Sequence, residues 1–298
     1  MISVSKPSGA SAVRSDPTID DVREFWNRNP LWTGESNIEP GSMAFFEEHR
    51  RICRDDCFAG AVDDRIFMPK DMDVSVLDLG CGIGFWLVEF WQRGYGNLTG
   101  ADLSDASLDI ARKRCELYGV NAAFHQANAE ALDFADASFD HVNCQGVIHH
   151  TPNTKAALDE IARVLKSGGT ASVSVYYQNF VLRNWYFFRP IARIAGAVGS
   201  RLKGRGRETI YSLPDADEIV RYYDGNDNPV GKAYSVDQFR EMAEPYFEIE
   251  EVLYHFFPAR SLPVRLPKSI HRFLDRRLPF MVYFNLRRRP RNTTSTAI

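Results

Sequence analysis

The stretch VLDLGCGIGFW, residues 76–86, passes from a short apolar run through an acid into three glycines at alternating positions, Gly80, Gly82 and Gly84. A strand that breaks into such a loop before a helix suits three kinds of ligand: a dinucleotide, a phosphate or an adenosyl group. A dinucleotide fingerprint spaces its glycines GxGxxG so that a helix N-terminus can meet the pyrophosphate. Here the third fingerprint position is Phe85. No Gly-Lys-Ser/Thr follows, which removes the phosphate-cradling loop as well. A ligand without a pyrophosphate remains, and Asp78 is placed to receive an ammonium from it, directly or through water. Glycine at the loop positions leaves room for that ligand beside the backbone.

Asp102 follows 24 residues on, in GADLSDASLDIA (100–111), at the end of the next apolar run. A carboxylate there can accept from both ribose hydroxyls, as it does in dinucleotide folds. Alone it would pass for a helix cap. Together with the Asp78 loop it makes two stations, one for an ammonium and one for a ribose, which suits S-adenosyl-L-methionine.

The same alternation runs across 74–178. Apolar runs VSVLDLG, NLTGADL, AAFHQAN, FDHVNCQG and TASVSVYY alternate with helical stretches WLVEFWQRG, DASLDIARKRCELYG and TKAALDEIARVLKSGG. Strands and helices of these lengths predict a parallel sheet covered on both faces, with ligands at the carboxyl ends of the strands near the reversal of strand order. A further helix and strand follow in SVDQFREMAEPYFEIEEVLYHFF, and a last strand in FMVYFNLRRRP. The expected fold is therefore α/β, a Rossmann-like, seven-stranded, mostly parallel sheet with helices on both faces. Ahead of it, residues 1–17 form a tail of disordered composition, and 18–67 a helical lid whose two helices start at the caps Thr18 and Ser42. Residues 68–179 make the cofactor-binding core and 180–231 a basic and aromatic helical insertion. Residues 232–298 complete the core, with a second excursion at 258–279.

The 74–178 block resembles the class I S-adenosylmethionine-dependent methyltransferases, and most of all the small-molecule subgroup that includes the ubiquinone and menaquinone biosynthesis enzymes. VLDLGCGIG, GADLSDASLDIARKRC, the run from ANAEALDF through ARVLKSGG and ASVSVYY carry the resemblance. It implies that Gly80, Cys81 and Gly82 line the methionine part of the cofactor. Asp102 would take the ribose, Leu103 would lie against the adenine, and Asn128 and Ala129 would border it. The family commonly has GDAE where this chain has ANAE, so Asn128 stands where an Asp accepts from the adenine amino group. An amide oxygen can accept the same bond.

Transfer of a methyl group from a sulfonium draws its electrophile from the cofactor, so the protein must align the nucleophile and exclude water. NCQGVIHHTPN (143–153) follows the fourth strand and should border the methyl group. Gln145 is the candidate for the methionine end, and His149 or His150 for a proton acceptor where one is needed. The pair also suits a structural role at the next helix. Adjacent histidines without a nearby Cys or carboxylate at ligand spacing do not predict a metal site. Trp32 and Phe46, with Tyr177, Arg183 and Trp185 after the fifth strand, are the candidate substrate contacts and favour an aromatic or partly apolar acceptor.

Composition and charge bound the alternatives. The five cysteines are scattered without CxxC pairs, as in a reduced cytosolic chain, and no apolar run reaches the length of a membrane span. The chain is expected to be cytoplasmic. Residues 183–207 carry seven Arg or Lys and no acid, within a net charge of -3. Any attraction to anions is therefore local, and contact of the mildly amphipathic 184–205 segment with a membrane surface stays open. The pattern favours methyl transfer to a small biosynthetic metabolite at oxygen, nitrogen or carbon, with no nucleic acid expected. Two alternatives stand beside it: methylation of RNA or protein, which predicts an open basic groove next to the cofactor, and a non-catalytic cofactor-binding or regulatory subunit.

Overall fold

The computed structural model describes residues 16–199, 205–262 and 264–290, which leaves nearly all of the expected tail outside the description. Its centre is built from β1 (Ser75–Leu79), α3 (Phe85–Trp91), β2 (Asn97–Asp102), α4 (Asp105–Tyr118), β3 (Ala122–Gln126), β4 (Phe139–Gln145), α5 (Thr154–Val164) and β5 (Leu165–Tyr177), preceded by α1 (Ile19–Arg28) and α2 (Met43–Phe58). The later elements are α6 (Phe180–Arg183), α7 (Trp185–Ala197), α8 (Ala216–Tyr223), β6 (Ala233–Tyr234), α9 (Val236–Ala243), β7 (Phe247–His255), α10 (Lys268–Arg277) and β8 (Met281–Arg288). The strands form one sheet in the order β3-β2-β1-β4-β5-β8-β7, with β6 paired to β5 off this path. Pairing is parallel from β3 to β5, and β8 enters antiparallel between β5 and β7.

This is the expected seven-stranded path with one addition. The eighth strand, β6, is two residues long, too short to show alternation in the sequence. A second difference lies before β5, where the expected helix to Gly169 stops at Val164. Gly168 takes φ +73°, and a Cβ on Gly169 would meet the Lys166 carbonyl oxygen at 2.9 Å, so the pair makes a turn that a helix cannot hold.

Strand order reverses between β1 and β4, so the loops after these two strands open a crevice at their carboxyl ends. The three glycines of the first loop answer to different needs. A Cβ on Gly80 would lie 2.2 Å from Val147, in the loop after β4. One on Gly84, the N-cap of α3, would press on Ala111 of α4 at 3.3 Å. Only Gly82 faces open space, so the room expected for a ligand lies at that position while Val147 takes the space at Gly80.

The core has a cluster on each side of the sheet, one under α3 and α4 and the insertion, the other under α5 and α9. The N-terminal helices start at Thr18 and Ser42, whose side chains accept from Asp21 N and Phe45 N. Fully buried Glu89 fastens α2 to α3, accepting from Arg54 at 2.8 Å and from Arg93 at 2.9 Å. Stripping a partner from such a buried set costs about 3–5 kcal/mol.

Candidate active site

Two cavities meet at the reversal of strand order. The first, of about 770 Å³ counting its mouth, is walled by Gly80, Gly82, Asp102, Leu103, Ala127, Ala129, Gln145 and Val147 from the sheet side. Ile19, Val22 and Trp26 of α1 and Leu31 cover it. The second, of about 1000 Å³, lies between the sheet and the N-terminal and inserted segments, among Trp26, Trp32, Trp86, His149, Tyr176 and Tyr223. Gln145, Gly146, His150, Trp26 and Leu31 line both, so one space continues into the other.

Polar groups in the first cavity are set by a relay across β4. Gln145 Nε2 donates to Asn143 Oδ1 at 2.9 Å, and Asn143 Nδ2 donates to Asp78 Oδ1 at 2.7 Å. Both amide nitrogens are thereby turned inward, which leaves Gln145 Oε1 and Asp78 Oδ2 as buried acceptors without a partner. Two unpaired acceptors suit a group that only donates, and an ammonium is such a group. Burial pushes the Asp78 carboxyl up to about 7, with the nearby Asp102 charge in the same sense and the Asn143 bond against it. Asp78 is 1% exposed and sits behind the wall that Gly80 and Gln145 form. Asp102 reaches the wall, its two oxygens accepting from Gly82 N and Ser104 N at 2.8 Å each.

Two of the expected cofactor contacts are placed differently. Asn128 Oδ1 is turned to the Glu130 amide at 3.0 Å, closing a local turn, and Ala127 and Ala129 line the cavity in its place. The Cys81 side chain is buried in the core against Gly100, with only its loop neighbours on the wall.

The second cavity takes in some of the expected substrate contacts and leaves others outside. Trp32 lines it, its indole N–H donating to Glu48 at 3.0 Å. Phe46 does not: it is fully buried in a cluster with Phe45 and Ile83, with the buried Arg114 guanidinium 5.0 Å above its ring. Tyr177 belongs to the core on the other side of the sheet, with its ring 5.3 Å from Tyr254. Arg183 is exposed and donates to the Gln178 carbonyl at 2.6 Å. Trp185 is buried against the insertion, its indole donating to Leu213 O at 3.0 Å, and lines a separate apolar cleft.

His150 stands at the junction of the two cavities with both ring nitrogens occupied. Nδ1 is 2.7 Å from the Val230 carbonyl, which can only accept, and Nε2 is 3.2 Å from Asp224. Burial would raise the Asp224 carboxyl, but the bonds from His150 and Tyr176 hold it below its ordinary range. As an ionised carboxylate it accepts, from Nε2 and from Tyr176 Oη at 2.6 Å. Both ring nitrogens of His150 are thus turned to protein partners rather than into open space. His149 is different: its Nδ1 is buried without a partner, and burial and the adjacent His150 hold the ring well below its ordinary value, so it stands neutral.

The roof is tied by charges that the sequence did not single out. Glu35 accepts from Arg207 and from Arg260 at 3.2 Å each, Arg260 also pairs with Asp56, and Arg205 donates to Pro30 O at 2.7 Å. The N-terminal loop, the insertion and the second excursion thus close over one chamber. Asp224 and Glu35 sit in turn-rich stretches with no periodicity to mark them. Arg205 and Arg207 gave only the general signal of a basic run, which reads as a solvated face.

Residues 76–169 match the family model described as a methyltransferase domain. The chain is 30% identical over 162 residues to a ubiquinone biosynthesis O-methyltransferase of Idiomarina loihiensis, covering 54% of this chain and 58% of that one. It is 34% identical over 136 residues to a demethylmenaquinone methyltransferase of Lactococcus lactis, covering 42% and 52%. The matches thus span little more than half the length of these relatives. Among solved structures, the [4+2]-cyclase SpnF superimposes with a TM-score of 0.55 at 16% identity over 92% of this chain and 97% of its own, a likeness of fold.

Proposed function

Since the chain belongs, through residues 76–169, to the class I S-adenosylmethionine-dependent methyltransferases, we propose that it methylates a small, aromatic or partly apolar metabolite held in the roofed chamber. One observation carries this reading: the cavity with the unpaired acceptors and Asp102 opens into a chamber rich in aromatic walls at Gln145, Gly146 and His150. When bound, S-adenosylmethionine supplies a methyl group on a sulfonium, an electrophile that needs no activation by the protein.

The work of the chain is then placement. Gln145 Oε1, with Asp78 behind it, would accept from the ammonium, and Asp102 from the ribose hydroxyls. Trp26 and Leu31, common to both cavities, would cover the junction of donor and acceptor. Orientation of this kind can supply about 7–11 kcal/mol of the barrier reduction in reactions that join two bound partners. The Tyr176–Asp224–His150 set fixes the junction wall, and His149 keeps the only unpaired ring nitrogen of the two histidines. Its depressed basicity makes it a weak proton acceptor, which suits an acceptor already ionised or easily ionised, such as an acidic phenol.

The three segments folded over the chamber disfavour methylation of RNA or protein, which would need an open basic groove at this place. Trp26, Trp32 and Trp86 all face the chamber, so intrinsic fluorescence tests the reading. A graded set of phenols and hydroxyquinones should quench it saturably, with the quench reduced in Trp32→Phe. Insensitivity to the whole set, with a response to RNA or protein instead, overturns it.

A further inference from the structure

The helix α7 has two apolar faces, and only one of them is used. Trp185, Phe188 and Ala192 turn inward, where they border an apolar cleft with Ile210, Phe257 and Phe280. Gly196 lets Tyr211 approach that side, since a Cβ there would fall 2.7 Å from the ring. At about 100° per residue, Tyr186, Phe187, Pro190, Ile191, Ile194 and Val198 fall on a second arc of about 140°. This arc is bare: Tyr186 is 80% exposed, Phe187 72%, Ile194 66% and Val198 69%. Pro190 lies within the helix without ending it, its ring on the exposed side.

We propose that this face of α7 docks on an anionic lipid surface. Exposed aromatic and aliphatic side chains in one stripe suit burial at the level of lipid headgroups. The charge beside the stripe selects the surface. Arg193 is exposed and Arg189 half-buried along the same helix, Arg183 is exposed at the end of α6 just before it, and residues 183–207 hold no acid. Arg205 and Arg207 are not part of this face, since they turn inward to Pro30, Tyr223 and Glu35. A second copy of the chain placed symmetrically on the stripe would set these arginines against their own equivalents, so self-association is opposed by the same charges that favour anionic headgroups. The cleft behind the helix adds a use for the contact. Ile191 borders it from the exposed side, and Tyr223 lines both this cleft and the acceptor chamber. An apolar acceptor dissolved in lipid would meet the protein at this opening.

The proposal is tested by sedimenting the full chain with vesicles of phosphatidylcholine alone and of phosphatidylcholine with phosphatidylglycerol. Binding to the anionic vesicles is expected to exceed binding to the neutral ones. F187S/I194S/V198S, three exposed positions outside the cleft and the chamber, should weaken it on the order of a hundredfold. R189Q/R193Q should lower the anionic preference about fivefold per charge removed. Ile194→Trp provides a second readout in an otherwise intact protein, with emission that shifts to the blue on anionic vesicles alone. The proposal is overturned by absence of vesicle binding, by a serine variant that binds like the unaltered chain, by an unmoved emission in the Ile194→Trp variant, or by ultracentrifugation showing a dimer that the serine substitutions dissociate.

Discussion

A histidine beside a reacting group serves as a base only while one ring nitrogen keeps a lone pair. His150, placed at the junction, has both ring nitrogens turned to the Val230 carbonyl and to Asp224, two partners far along the chain that no local motif announces. Asp78 shows the opposite case, a residue whose position near the end of β1 was legible and whose electrostatics came from burial. An ammonium bound against it needs the carboxylate, and the free carboxyl is held at about 7 by desolvation. Affinity for S-adenosylmethionine should therefore be level above that pH and weaken about tenfold per unit below it. Calorimetry across pH 5–8 measures this, and Asp78→Asn should abolish the slope. An unaltered slope in that variant would remove Asp78 from the ammonium site. The glycines teach a related lesson. Their spacing excluded a dinucleotide, yet the partner of Gly80 is Val147, a residue whose proximity exists only in the folded chain.

Elements with strong periodicity and capping were read at the right places, as with the helices after Thr18 and Ser42. Those set by tertiary contacts were not: β6 exists because β5 offers it an edge, and Trp185 serves the insertion because α7 turns that side inward. One junction between elements has a pH signature. His255, at the end of β7, meets Asp63, beyond α2, at 2.9 Å and Asp275 of α10 at 3.2 Å, with Arg65 also on Asp63. Burial would lower the ring, but the two carboxylates outweigh it and hold it above its ordinary value of about 6.5. A raised histidine contributes stability that is whole below the unfolded value and is lost as pH rises through the folded one. The melting temperature should fall over that window, and His255→Gln should flatten the fall. Equal slopes in the two proteins would show that the clamp does not contribute.

At the scale of the whole molecule, the sheet and the methyl-donor loop were open to the sequence because they depend on local alternation and on a few backbone positions. The acceptor chamber was not, because three segments far apart in sequence build it. Glu35, Arg207, Arg260 and Asp224 meet only once the N-terminal loop, the insertion and the second excursion have folded over β4 and β5. On the proposed function, its roof favours a small acceptor over a macromolecular one. No helix among the described residues is long and apolar enough to cross a membrane. The central claim is that a donor site and a roofed chamber make one methyl-transfer site. The direct measurement is transfer of labelled methyl from S-adenosylmethionine by the purified protein into a cell extract separated by size. The account predicts label in a low-molecular-mass, aromatic or partly apolar product, with transfer lost in Asp102→Ala. Label confined to RNA or protein, or transfer undiminished in that variant, would contradict it.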